Sequence, residues 1–227
     1  MHPLDNVIWQ ALNSSQAHLG QRHNQAAKFH KDINLLGGFS EPSEEGYDSL
    51  SFLLDMGERV GLFLEAPPQP PKGWTLVAHV PLLQMLCEDG TAPSAANNTL
   101  IVQLSEQDVP EMLALTKLTK PGPFAKRTCE MGDYFGVRVN GDLVAMAGER
   151  LRVPGYTEIS AVCTHPDHLG NGYATTLMTL LMERIQSRGE RAFLHSRADN
   201  DRAIALYERL GFRKRPPLHY AIISKDT

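Results

Sequence analysis

Residues 158–174 of this 227-residue chain read EISAVCTHPDHLGNGYA. The first seven residues predict a strand, and an amphipathic helix is predicted over about 170–188. Gly170 and Gly172 lie where the connecting loop enters that helix. The first N–H groups of a helix have no partners, and glycine lets a ligand approach the backbone, so this junction predicts a phosphate site. A tight turn without a ligand is the alternative for two glycines alone.

The elements around this stretch form a regular series. Residues 99–227 read as β-α-β-β-β-α-β-α-β, which indicates an α/β domain with a mixed sheet. Asn140-Gly141 predicts a two-residue hairpin turn, and Pro154-Gly155 marks another turn. Ser105 and Asp108 resemble a capping box at the start of a helix. The apolar stripe of that helix is predicted to consist of four residues: Met112, Leu113, Leu115 and Leu118.

Two motifs in this series resemble those of the GCN5-related N-acetyltransferase (GNAT) superfamily. Residues 169–174, LGNGYA, are similar to its pyrophosphate-binding signature Gln/Arg-x-x-Gly-x-Gly/Ala. Residues 200–212, NDRAIALYERLGF, are similar to its Asn-x-x-Ala-x-x-Leu-Tyr-x-x-x-Gly-Phe segment. The run EISAVCTHP resembles the FR47-like branch. The resemblance covers roughly residues 99–227.

The resemblance implies the fold, and the distribution of charge suggests the domain division. We expect a GNAT-type α/β fold with a mixed, mostly antiparallel central sheet flanked by helices in residues 99–227. Residues 1–98 are expected to form an N-terminal α/β accessory domain of unknown function, compatible with a degenerate half of the same fold. Residues 1–98 carry a net charge of −6 and residues 99–227 a net charge of +2, which supports two units. Their small, polar join is residues 90–98.

The implied activity is transfer of an acetyl group from acetyl-CoA directly to an amine acceptor, either a small molecule or a protein or peptide amine. A non-catalytic acyl-CoA-binding sensor is the alternative, because Leu169 stands where the family has Gln or Arg. An adaptor that acts through the proline run at 67–71 is a third hypothesis. The resemblance implies these coenzyme-binding residues: Val162, Cys163, Thr164, Leu169, Gly170, Asn171, Gly172, Tyr173, Ala174, Thr175, Asn200, Ala203 and Tyr207.

Two catalytic roles follow from the same resemblance. Tyr207 matches the tyrosine that protonates the leaving thiolate; packing in the core is its alternative. Glu158 is the candidate base, with a pKa expected to be raised by partial burial. Three histidines compete for the base role: His165, His168 and His195. Cys163 is expected to be a buried structural residue rather than a nucleophile.

Composition limits the other classes of function. The net charge of −4 and the pI of about 6.1 argue against a nucleic-acid binder. Three scattered cysteines predict neither a disulfide framework nor a metal site. No run approaches the ~18 apolar residues of a membrane helix, and the N-terminus lacks a signal-peptide pattern. We therefore expect a cytoplasmic protein without membrane or nucleic-acid partners; a homodimer is left open.

Overall fold

The structure, a computed structural model, describes residues 2–88 and 101–226. Five α-helices lie within these residues: α1 Val7–Leu12, α2 Glu44–Ser51, α3 Val109–Thr119, α4 Tyr173–Ser187 and α5 Asp201–Arg209. The same residues contain eleven strands: β1 Gly20–His23, β2 Ala26–Phe29, β3 Gly37–Phe39, β4 Arg59–Leu64, β5 Trp74–Cys87, β6 Ile101–Leu104, β7 Tyr134–Val139, β8 Asp142–Val153, β9 Tyr156–Thr164, β10 Arg191–Arg197 and β11 Phe212–Lys225.

Eight of these strands form one central sheet. Their order is β4-β11-β5-β10-β9-β8-β7-β6, and β1-β2-β3 form a separate small sheet. Neighbours in the large sheet are antiparallel except β9 and β10, which are parallel. The predicted class, a mixed and mostly antiparallel sheet flanked by helices, is confirmed.

Helices cover both faces of the central sheet. Successive residues of a strand point to opposite faces. Ala192 and Leu194 of β10 pack in the cluster that contains α4 and α5, whereas Phe193 packs with α1. The α3 helix packs on Met146 of β8, whose neighbour Ala145 contacts the α4 cluster. The core therefore lies in two layers, one formed with α4 and α5 and the other with the N-terminal segment and α3.

The predicted turns and caps follow local sequence. Asn140 and Gly141 have φ values of 54° and 97°, as a type I′ turn requires, and they join β7 to β8. Ser105 and Asp108 form the capping box before α3. The predicted apolar stripe of α3 is wrong at Leu118, which is 51% exposed. That side chain points to solvent because the buried face of α3 is centred on Met112 and Leu115.

The predicted boundary between residues 98 and 99 lies outside the described residues. On its N-terminal side, β4 and β5 belong to the central sheet, where both pair with β11. The two predicted units therefore share one sheet, and the division into domains stays a prediction. Among the described helices, none is long and apolar enough to cross a membrane.

Candidate active site

A cavity of about 790 Å³ runs from the start of α4 to the far side of the central sheet. One part is lined by the loop before α4, by β9 and by α5; we call it the coenzyme end. The other part is lined by residues of the N-terminal half and of β8, β10 and β11; we call it the acceptor end. The second group has seven members: Leu36, Phe63, Val80, Leu82, Arg150, His195 and Tyr220.

The coenzyme end contains a gap between β9 and β10. Among the described residues, these strands pair only at three positions, and the last pair is Phe193 with Glu158. Beyond it β10 pairs with β5, while β9 pairs with β8. The β9 backbone is distorted at Ala161, which has a φ of 53°. The edge of β9 that contains Val162 and Thr164 therefore offers backbone groups to an extended ligand.

The loop before α4 has the geometry predicted for a phosphate site. Gly170 and Gly172 have φ values of 86° and 77°, a conformation that glycine adopts without strain. Gly172 is the N-cap of the fifteen-residue helix α4, and no side chain caps that helix. The N–H groups of the first turn of α4 are thus available to an anion.

The other predicted coenzyme-binding residues also line the cavity. They are Leu169, Asn171, Tyr173, Ala174, Thr175, Asn200 and Ala203. Leu169 is 49% exposed and provides no polar group. The side-chain oxygen of Asn200 accepts a hydrogen bond from the Ala203 N–H, so Asn200 also caps α5. The structure brings all of these residues together around one cavity, and their roles in binding stay predictions.

Tyr207 of α5 lies in the cavity lining and is 9% exposed. Burial raises the pKa of its phenol to about 12, so the hydroxyl keeps its proton at neutral pH. Its ring packs edge-on against Phe212 at 6.3 Å between centroids. The ring of Tyr207 therefore packs in the core, while the residue lines the cavity and keeps its hydroxyl proton.

Cys163 also lines the cavity and is 7% exposed. Burial raises the pKa of its thiol to about 11. Because the thiolate is the nucleophilic form, a thiol with this pKa is a poor nucleophile at neutral pH. Its position agrees with the structural role expected for this cysteine.

The expectation for the pKa of Glu158 is wrong. Glu158 is fully buried, and burial alone would raise its pKa. Arg150 and His195 outweigh this effect and lower the pKa to about 2. The Glu158 carboxylate accepts hydrogen bonds from Nε and Nη2 of Arg150 at 2.9 and 2.6 Å and from the Leu151 N–H at 3.2 Å. A carboxylate held in this way is a weak base, and Glu158 does not belong to the described lining of the cavity.

His195 is held on both ring nitrogens. Nδ1 donates to Glu158 at 2.7 Å, and Nε2 accepts from the side-chain amide of Gln84 at 3.0 Å. Arg215 and the Leu4 carbonyl fix the orientation of that amide, at 2.7 and 2.9 Å. The side chain of His195 is only 2% exposed. The second candidate base therefore presents no free lone pair to the cavity.

The remaining histidines lie near the loop before α4. His165 accepts the Asp167 N–H through Nδ1 and caps the short turn Pro166–His168, which is a structural role. His168 lines the cavity, and its backbone oxygen accepts a hydrogen bond from Asn171.

Of the residues at the acceptor end, only His195 was predicted from the sequence, and Arg150 was not. One signal was present: the turn at Pro154-Gly155 places Arg150 and Glu158 almost opposite each other in the β8–β9 hairpin. Opposite charges at such positions are typical partners. Phe63 and Tyr220, whose rings meet edge-on at 5.7 Å, come from β4 and β11, and no local pattern links them.

The charge of the lining has one sign. Among the described residues that line the cavity, none is Asp or Glu. Five are cationic: Lys120, Arg150, Arg197, Arg202 and Arg209. The described residues also contain no group of three or more side chains suited to hold a metal ion.

The FR47-like protein family matches residues 134–221. A crystal structure from Novosphingobium aromaticivorans, described as a GNAT-family protein, is 38% identical, covers 100% of both chains and superposes with a TM-score of 0.91. A GCN5-related N-acetyltransferase from Kribbella flavida is 18% identical over 94% of this chain and 95% of its own, with a TM-score of 0.62, and shares the fold.

Two curated proteins are similar over shorter regions. The N-alpha-acetyltransferase RimI of Mycobacterium tuberculosis is 37% identical over 84 residues, which are 36% of this chain and 52% of that protein. The mycothiol acetyltransferase of Streptomyces avermitilis is 27% identical over 149 residues, which are 65% of this chain and 45% of that protein. The chain thus spans about half the length of these curated relatives.

Proposed function

The chain belongs to the GNAT family of acetyltransferases, and we propose that it transfers an acetyl group from acetyl-CoA directly to an amine acceptor, a small molecule or the amine of a protein or peptide. The observation that carries this proposal is the single cavity that joins the gap in the sheet, the glycine loop and Tyr207. A cytoplasmic location and a homodimer stay predictions from the sequence.

The residues of the coenzyme end suit acetyl-CoA by their chemistry. The N–H groups at the start of α4 and the cationic lining match the negative charge of a pyrophosphate. The free edge of β9 at Val162–Thr164 suits the amide groups of a pantetheine arm, which would pair there as an added strand does. Leu169 contributes no polar contact, so we assign the phosphate contacts to the backbone of residues 170–174.

The reaction forms an N–C bond to the acetyl carbonyl and breaks its C–S bond. One amine proton passes to solvent, and the departing thiolate takes up one proton. We assign the second transfer to Tyr207, because its phenol is protonated at neutral pH and lies in the lining. A backbone N–H of β9 in Val162–Thr164 would donate to the developing oxyanion.

The acceptor must attack as a free amine. We infer that neither Glu158 nor His195 acts as its strong base, since Glu158 has a pKa of about 2 and His195 is hydrogen-bonded on both nitrogens. The cationic lining instead disfavours a bound ammonium and so favours the neutral amine. Glu158 becomes a positioning residue that holds Arg150 and His195.

Steady-state release of the coenzyme A thiol, measured with a panel of amines, tests this proposal. We expect thiol release that depends on the amine and yields the acetylated amine in equal amount. The alternative, a non-catalytic acyl-CoA sensor, predicts acetyl-CoA binding without amine-dependent thiol release. Absence of acetyl-CoA binding would contradict both.

A further inference from the structure

We propose that the acceptor amine also carries a carboxylate, and that Arg150 binds this carboxylate at the acceptor end of the cavity. The inference rests on the proposed acetyl transfer and adds the chemical class of the acceptor. Three independent features support it: the geometry of the arginine, the charge of the lining and the apolar walls around the arginine.

Arg150 lines the cavity although only 7% of its surface is exposed. Two of its guanidinium nitrogens, Nε and Nη2, donate to Glu158. The third nitrogen, Nη1, has no hydrogen-bond partner among the described residues. Nη1 does not belong to the fully buried side-chain atoms that lack a partner, so it is accessible and can donate to an acceptor group of a ligand.

The guanidinium is fixed before any ligand binds. Its partner Glu158 is itself held by the Leu151 N–H and by Nδ1 of His195. Because the guanidinium is planar and two of its nitrogens are anchored, the direction of Nη1 is fixed too. A carboxylate that binds there gains a charge-assisted hydrogen bond without having to order the arginine.

The charge of the lining selects against purely cationic acceptors. The described lining contains no carboxylate, and of its five cationic side chains only Arg150, which is paired with Glu158, belongs to the acceptor end. A polyamine or a lysine-rich peptide would therefore find no countercharge on these walls. An amine that carries its own carboxylate brings the missing negative charge and places it against Arg150.

The walls around Arg150 are apolar and aromatic. Phe63 and Tyr220 lie in the same part of the lining, together with Leu36, Val80 and Leu82. The Tyr220 hydroxyl is buried and has no partner among the described residues. These walls suit an acceptor with an apolar or aromatic side chain, as in an α-amino acid of that type.

Matched pairs of acceptors test the proposal on the unmodified protein. L-phenylalanine, L-leucine and L-methionine are each compared with their own amides, and thiol release gives kcat/KM for both members of a pair. We expect the free acid to exceed its amide by about tenfold or more, the effect of one hydrogen bond to a charged group. An amide that is as good as its acid would overturn the proposal, as would acetylation of none of the acids by a protein that binds acetyl-CoA.

Arg150→Lys is the corresponding variant, because lysine keeps the charge opposite Glu158 and removes the donor at Nη1. Arg213→Lys makes the same change on an exposed arginine outside the cavity lining. We expect the acid-to-amide ratio to fall towards one in Arg150→Lys and to stay unchanged in Arg213→Lys. A ratio that persists in Arg150→Lys would overturn the role of Arg150.

Acetyl-CoA affinity, measured by calorimetry on the same proteins, separates this proposal from the proposed function. We expect the same affinity in the wild type and in both arginine variants. If the wild type failed to bind acetyl-CoA, the proposed function would fail; if it bound acetyl-CoA and acetylated amines without regard to the carboxylate, only the present proposal would fail.

Discussion

The two ends of the cavity are built in different ways. At the coenzyme end, Gly170, Gly172 and the first turn of α4 come from one continuous stretch, and backbone groups form the surface. At the acceptor end, side chains from β4, β5, β8, β10 and β11 meet across the sheet. Arg150 and Glu158 are eight residues apart in the chain, whereas Gln84 and His195 are 111 apart.

This difference separates two kinds of determinant. A backbone site depends on glycine conformation and on a helix start, so a single substitution at a glycine removes it. A side-chain site depends on a buried charge network, so substitutions there change stability and selectivity together.

Gly172→Val has the largest expected effect and acts on the coenzyme end. A φ of 77° is unfavourable for valine. Its side chain would also occupy the space through which a phosphate approaches the N-terminus of α4. We expect acetyl-CoA binding to fall below detection by calorimetry while the protein stays folded. Gly189→Val is the matched control, because Gly189 has a φ of 75° near the other end of α4 and nothing within 4 Å of an added Cβ. Unchanged affinity in Gly172→Val would place the phosphates elsewhere.

Tyr207→Phe is expected to lower kcat by about 10²–10⁴-fold, the usual contribution of a general acid. Acetyl-CoA affinity should change little, because the ring and its packing remain. Tyr134→Phe serves as the control: its hydroxyl is fully buried, lacks a partner among the described residues and lies outside the cavity lining. Wild-type turnover in Tyr207→Phe would leave this tyrosine with its packing role alone.

The same contrast explains what the sequence could predict. The order of elements in residues 99–227, the Asn140-Gly141 turn and the glycine loop depend on local backbone preferences, and the structure confirms their places. The family resemblance added the prediction that these residues bind one ligand, and the structure places them around one cavity. In these regions, the residue type determines the local backbone conformation.

The environment of Glu158 could not be predicted in the same way. Its pKa depends on Arg150 across a hairpin with an irregular register and on His195, which is 37 residues away. The strand membership of residues 59–87 depends on pairing with β11 at the far end of the chain. Composition and periodicity carry no information on such pairings, so the residues of the acceptor end other than His195 were not predicted.

Glu158→Gln tests the network of the acceptor end through stability. Loss of the carboxylate leaves the buried Arg150 without its countercharge, so the free energy of unfolding should fall by about 3–5 kcal/mol. Glu130→Gln removes a carboxylate from a partly exposed pair with Arg127 and should cost at most about 1 kcal/mol. Denaturant titration measures both. Small and equal losses of unfolding free energy in the two variants would show that the buried Glu158–Arg150 pair contributes no more to stability than the exposed pair.

The acid sensitivity of the wild type follows from the same pair. The pKa of Glu158 is about 2 in the folded protein and has an ordinary value of 4.5, so the unfolded chain binds the proton more tightly. The stabilisation is present above about pH 4.5 and is lost as the pH falls towards 2. Glu158→Gln should lack this part of the pH dependence; an identical acid profile in both proteins would contradict the low pKa.

The smallest expected effect is a shift of the pH–rate profile with the acceptor. With neither Glu158 nor His195 as a base, the acidic limb should follow the pKa of the amine, which is about 8 for a peptide α-amine and about 10.4 for a lysine-type amine. The limb should therefore move to higher pH for the second acceptor. An acidic limb at the same pH for both acceptors would show that a group of the protein titrates. Loss of that limb in His195→Gln would identify His195 as the base.

The central claim is that acetyl-CoA occupies the gap between β9 and β10 with its phosphates at the start of α4. Hydrogen–deuterium exchange with and without acetyl-CoA tests it most directly. We predict slower exchange of the backbone amides in residues 161–164 and 170–175 on addition of acetyl-CoA, with little change in β4 at the acceptor end. Unchanged exchange in both segments under saturating acetyl-CoA, or protection confined to the acceptor end, would contradict the account.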